Sequence, residues 1–131
     1  MSKRQVRKEF EDELAVWLAA NGNLPAAYEN RPFKDQTPPA GEHIRVWMIT
    51  ADTVASTWCG EELKGYFLVE IFVKQGTNAA RAEQLSESLA AHFPDGKRLG
   101  RTRIYGPPHE DDGENIKPYF RIPVRIRYFF D

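Results

Sequence analysis

At 131 residues the chain has room for one domain and not for two. Apolar residues at 41%, with eight Phe, five Tyr and three Trp, exclude a disordered or low-complexity chain. Eighteen Lys and Arg against nineteen Asp and Glu leave a net charge of −1, so no bulk charge draws the whole chain to nucleic acid or acidic lipid, and any such binding has to be local.

The basic start MSKRQVRK resembles the opening of a signal peptide, but Glu9, Glu11, Asp12 and Glu13 stand where its apolar segment would have to be, so no export is expected. The strongest apolar run, Tyr66 to Val73, contains Glu70 and falls well short of the roughly 18–20 residues that span a bilayer. No membrane association is expected. Cys59 is the only cysteine, which rules out an intramolecular disulfide and every multi-cysteine metal site and fits a soluble protein in a reducing cytoplasm.

In chain order, Val6, Phe10, Leu14, Trp17 and Leu18 fall on one helical face and predict a helix over about 3–20, with Ser2 able to cap its start. Asn21-Gly22-Asn23 supplies residues that tolerate the left-handed conformation at a helix end. A short strand is expected over 24–28, and Pro25 marks it as an edge or a strand start, because proline cannot donate to a ladder. The proline-rich stretch 29–42 reads as a long loop. A strand over 43–51 alternates Ile44, Val46 and Met48 with Arg45, Trp47 and Ile49, and a second loop is expected over 52–64. The strand over 65–74 is apolar on both faces, as a central strand would be. Ala79, Ala82, Leu85, Leu89 and Phe93 then form a helical stripe that stops at Pro94 and Gly96. Strands over about 100–105 and 119–129 follow, separated by an acidic, proline-bracketed loop at 107–118. The order α-β-β-β-α-β-β predicts a single α+β domain over 1–131: one mostly antiparallel sheet with two helices packed on one face.

The chemistry is sparse. His43, His92 and His109 have no second ligand at metal spacing, and the acidic run HEDDGEN lacks the alternating ligands of a calcium loop, so no metal is expected and that loop reads as solvated. No glycine-rich phosphate loop is present and no nucleophile, base and orienting residue cluster at motif spacing, so neither a cofactor nor an enzyme is expected. Two basic features stand out. Arg121, Arg125 and Arg127 share one face of the last strand, which is either a solubilising surface or one that meets phosphate or an acidic partner. Lys64-Gly65-Tyr66-Phe67-Leu68-Val69 partly echoes the RNA-recognition-motif signature, although Leu68 replaces a stacking aromatic and the helix-first order does not fit.

Taken in order, Leu24-Pro25-Ala26-Ala27-Tyr28-Glu29-Asn30-Arg31-Pro32-Phe33, Pro38-Pro39, Ile44-Arg45-Val46 and Gly65 to Val73, then Gly76 and a helix ending at His92-Phe93, resemble the tail terminator proteins of long-tailed bacteriophages over about 5–128. Lys74 stands in place of a usual proline, Tyr28-Glu29 in place of tryptophan-proline, and 107–118 is inserted. The resemblance implies a non-enzymatic structural protein of a phage or prophage. Such proteins form a ring, usually hexameric, on the last ring of major tail-tube protein, stop its polymerisation and present a surface to a head-completion protein, with DNA at most passing through. Assembly would take place in the bacterial host cytoplasm, and the final location would be the head–tail junction of the virion. For the interfaces such a ring needs, the expected residues are Arg31, Phe33 and Trp58 in the long loops and Arg121, Arg125 and Arg127 on the last strand. The alternative is a small nucleic-acid-binding module using the arginine strand and Tyr66.

Overall fold

The computed structural model describes residues 3–29, 41–50, 55–56, 60–61, 63–76 and 79–130. Helix α1 spans Lys3–Ala20 and buries Val6, Phe10, Leu14, Trp17 and Leu18, the stripe its spacing requires. It stops where Gly22 and Asn23 take positive φ values of 81° and 55°, and Asn23 N donates back to Leu18 O. Strand β1 (Ala26–Tyr28) follows, then β2 (His43–Thr50), a short pair β3 (Ala55–Ser56) and β4 (Gly60–Glu61), and the long β5 (Leu63–Lys74). Helix α2 (Ala79–His92), β6 (Thr102–Ile104), β7 (His109–Glu110), β8 (Glu114–Ile116) and β9 (Tyr119–Phe130) complete the order.

The chain is α+β, and its long elements follow the expected α-β-β-β-α-β-β order. The main sheet has the strand order β1-β2-β5-β9-β6 and is antiparallel except where β1 runs parallel to β2. β5 is central, flanked by β2 and β9, and the β1 strand announced by Pro25 lies at an edge. Two loop readings need correction. The stretch expected as loop over 52–64 holds the β3–β4 pair and the start of β5. The acidic stretch 107–118, expected as a solvated loop, places β7 and β8 against β9. These strands are two or three residues long and exposed, so no periodicity could announce them.

Both helices cover one face of the sheet. There Val46, Phe67, Val69, Ile71, Val124 and Ile126 meet the stripes of α1 and α2 in one core cluster. The Phe10 ring stacks on Phe67 at a centroid distance of 3.7 Å and lies 5.0 Å from Phe93, while Phe67 lies 4.8 Å from Tyr128. Trp17 Nε1 ties the two helices together through Ser88 Oγ at 3.1 Å.

A carboxylate fastens α1 to the turn before β6. Glu9 accepts from Thr102 Oγ1 at 2.7 Å, Thr102 N at 3.0 Å and Arg101 N at 3.1 Å. Burial pushes this carboxyl up, but the bonds from Thr102, Arg101 and Gln5 outweigh it and hold the group below its ordinary 4.5. A carboxyl depressed in the folded state contributes stability above its unfolded value and loses it as pH falls through the folded one. Wild type should therefore lose more thermal stability than Glu9→Gln between about pH 5 and pH 3. Parallel melting curves for the two proteins would contradict this role.

Candidate functional site

The face of the sheet opposite the helices is the open one. Alternation places Arg45, Trp47 and Ile49 of β2 there, with Tyr66, Leu68 and Glu70 of β5 and Arg121, Arg125, Arg127 and Phe129 of β9. Trp47, Ile49 and the neighbouring Tyr105 are 41%, 37% and 62% exposed. Large apolar side chains gathered on one exposed face suit contact with another protein surface.

The three arginines do share this face, but they do not form a uniform solvated stripe. Arg121 Nε donates to Glu70 Oε2 at 2.5 Å, Arg121 Nη1 donates to Glu114 Oε1, and the other Glu70 oxygen accepts from Trp47 Nε1 at 2.6 Å. The Arg121 and Glu70 side chains are only 19% and 13% exposed. Arg125 Nη2 donates to Asp111 Oδ1 at 2.9 Å, an oxygen that His109 Nε2 approaches at the same distance. Arg127 instead places its guanidinium 5.2 Å from the Tyr105 ring centroid. The 107–118 segment therefore supplies the counter-charges for two of the three arginines. A change of all three to glutamine, which treats them as equal surface charges, would not be neutral for folding. Arg121→Gln should cost about 1–3 kcal/mol, because Glu70 would remain half-buried beside a weaker donor. Arg127→Gln should cost under about 1 kcal/mol. Urea denaturation of the two variants measures the difference, and equal midpoints would show that the Glu70 pairing contributes nothing.

Arg31, Phe33, Trp58 and Cys59 lie outside the described residues. The segment that echoes the RNA-recognition motif divides between the faces. Tyr66 is on the open face opposite Arg127, whereas Phe67 is buried under α1. His43 is buried, stacked on Phe72 at 4.8 Å and edge-on to Tyr119, with Nδ1 2.9 Å from Gly41 O. Burial, helped by the nearby Arg45 and opposed by the Gly41 carbonyl, holds its pKa below 6.5, so this ring is neutral packing. Among the described residues no three His, Cys, Asp or Glu side chains are placed to hold a metal ion. No helix of the described residues is long and apolar enough to cross a membrane.

A groove of about 630 Å³ opens at the β6 end of this face, lined by Lys64, Tyr66, Asp95, Arg103, Tyr105, Arg127 and Phe129. A hollow of about 350 Å³ adjoins it through Tyr66 and Arg127, walled by Pro107, Pro108, His109 and Arg125. The period-two pattern could have pointed to Trp47, Ile49 and Phe129 as surface residues. Arg103 and Tyr105 join them only through the pairing of β6 with β9.

Comparison with known proteins agrees with this architecture. A solved structure of a protein whose name states no function is 27% identical, with a TM-score of 0.80 over 100% of this chain and 96% of that one. A chain of the virion of a native gene transfer agent particle is 19% identical, with a TM-score of 0.59 over 86% of this chain and 83% of its own, a likeness of fold. No curated protein matches. The family model described as phage tail terminator protein matches residues 5–128, which takes in both helices and every strand of the main sheet except the first two residues of α1 and the last two of β9. The chain belongs to the phage tail terminator family.

Proposed function

We infer that this chain forms a hexameric ring on the last ring of major tail-tube protein, stops tube polymerisation there and offers the opposite side of the ring to a head-completion protein. The observation that carries this reading is the family match over residues 5–128. The exposed Trp47, Ile49 and Tyr105 support it, since a ring subunit must present two different contact patches and such side chains are common anchors of contacts. In this reading Arg31, Phe33 and Trp58 serve contacts between subunits or with the tube, and Arg121, Arg125 and Arg127 face the lumen or a neighbour. Subunits with a radius of gyration of roughly 14 Å leave a central hole a few tens of ångströms wide, enough for duplex DNA to pass. The protein acts as one domain, without catalysis, cofactor, metal or membrane. It is assembled in the host cytoplasm of a phage or prophage and ends at the head–tail junction.

Tube protein polymerised with and without this chain, viewed by electron microscopy, tests the reading. Shortened tubes with a ring on one end are expected, and sedimentation at micromolar concentration should show a monomer or weak association. Tubes of unchanged length with bare ends would overturn it, as would a stable two-fold dimer at every concentration.

A further inference from the structure

In the groove at the β6 end of the open face, cations and aromatic rings alternate in two directions. One row across the strands reads Lys64, Phe129, Arg103, and the next reads Tyr66, Arg127, Tyr105. Lys64 and Arg103 lie 5.6 and 5.9 Å from the Phe129 centroid, and Arg127 lies 5.2 Å from that of Tyr105. These rings already carry a cation on a face, which makes them poor platforms for a stacked base. A guanidinium near a ring face and without a carboxylate partner keeps N–H groups free to grip one. Among the described residues no carboxylate pairs with Arg103 or Arg127, in contrast to Arg121 and Arg125. Asp95, the carboxylate in this groove, uses Oδ1 to accept from Gly106 N at 2.8 Å. Farther along the same edge of β9, Glu114 and Asp111 already hold Arg121 and Arg125, so the cationic patch ends with the groove and suits a pair of discrete carboxylates better than a long polyphosphate.

The chain itself carries such a pair. Among carboxylates whose side chains are described, Glu83, Glu87 and Asp112 have neither a cation nor a hydrogen-bond donor as partner. Glu83 and Glu87 are both exposed on α2, on the side turned away from Ala82, Leu85 and Leu89. At a spacing of four they stand about 5–6 Å apart. Arg103 and Arg127 are diagonal neighbours across β6 and β9, about 7–8 Å apart. Helix α2 packs on the covered face and the groove opens on the other. The two patches thus lie on different sides of the subunit, as a head-to-tail contact requires. We propose that the groove holding Lys64, Arg103 and Arg127 receives the Glu83–Glu87 ridge of a second copy of this chain, and that this is a contact between subunits of the ring. The proposal rests on the ring reading above and names one of its interfaces.

Charge exchange tests it. Wild type, Arg103→Glu/Arg127→Glu, Glu83→Lys/Glu87→Lys and the chain with all four changes are compared after circular dichroism and melting have shown each to be folded. Ring formation is read by sedimentation at near-millimolar concentration and by microscopy of tube ends. Each double variant should need at least about tenfold more protein to associate, and the chain with all four changes should recover. If a reversed charge unfolds the chain, glutamine at the same positions should weaken association, and rising salt should weaken wild type likewise. Wild-type rings indifferent to either double change would overturn the contact, as would a folded fourfold variant that does not recover. Normal rings of the groove variant that no longer cap tubes would assign the groove to another protein. Binding of a single-stranded oligonucleotide by wild type, lost in the groove variant, would assign it to nucleic acid. Absence of any wild-type ring would instead sink the ring reading, and this contact with it.

Discussion

Phe10→Ala is expected to cost about 3–5 kcal/mol of folding stability, the range for deleting a buried aromatic ring. Phe10 is fully buried, stacks on Phe67 of the central strand and touches Phe93 just past α2, so one ring joins α1 to the sheet and to the second helix. Its loss leaves a void between three elements that cannot all close in at once, because Phe67 is also held against Tyr128 from β9. The denaturant midpoint should fall while the slope of the transition stays near that of wild type. A loss under about 1 kcal/mol would show that α1 can reseat itself on the sheet without this contact.

Gly65→Ala is also expected to be damaging, although it adds only a methyl group and the glycine φ is not of the left-handed kind. A Cβ at Gly65 would overlap the Ile49 carbonyl oxygen and come within 2.9 Å of Thr50 Cα and of the Tyr128 hydroxyl. Two of those three atoms belong to backbone of the adjoining β2, so relief requires β2 and β5 to move apart where Thr50 pairs with Gly65. Overpacking of this kind costs roughly 1–3 kcal/mol and sometimes more. Tyr128 adds to the constraint: its hydroxyl is buried without a hydrogen-bond partner among the described residues, and burial pushes its pKa up to about 12. Tyr128→Phe should therefore be close to neutral in the wild-type background, where it removes an unsatisfied group, and should recover part of the loss in Gly65→Ala. Thermal melts of the two single variants and the double variant measure this. Strict additivity would show that the hydroxyl takes no part in the clash.

The contrast between what was legible in the sequence and what was not follows the range of the interactions. The α1 stripe from Val6 to Leu18 and the alternation through Phe67, Val69, Ile71 and Val73 are periodic, so their burial and the central place of β5 could be read from spacing. The same alternation put Arg121, Arg125 and Arg127 on one face. What each arginine meets depends on register and on a distant segment. Glu70 lies opposite Pro123 and reaches Arg121 only diagonally, and Asp111 and Glu114 arrive by a segment that follows no pattern. The groove is hidden for the same reason, since Arg103 and Arg127 become neighbours only when the short β6 pairs with the end of β9. All six residues picked out for interfaces stay proposals: those on β9 have a described setting, and Arg31, Phe33 and Trp58 lie outside the described residues.

The far edge of β9 bears on aggregation. Along its 12 residues β9 pairs with β5 on one side, and on the other it is covered in succession by β8, β7 and β6. The intervals are closed by Asp111 N donating to Pro123 O and Tyr105 N to Arg127 O, both at 2.9 Å. A long strand with that edge bare would offer a row of open amides and carbonyls to any other chain, the starting template for runaway strand addition. In the reading proposed above, a chain that caps a growing tube has to be a poor template itself, or it would seed further growth. Short strands suit that duty, since each is too brief to offer a long ladder to a further strand.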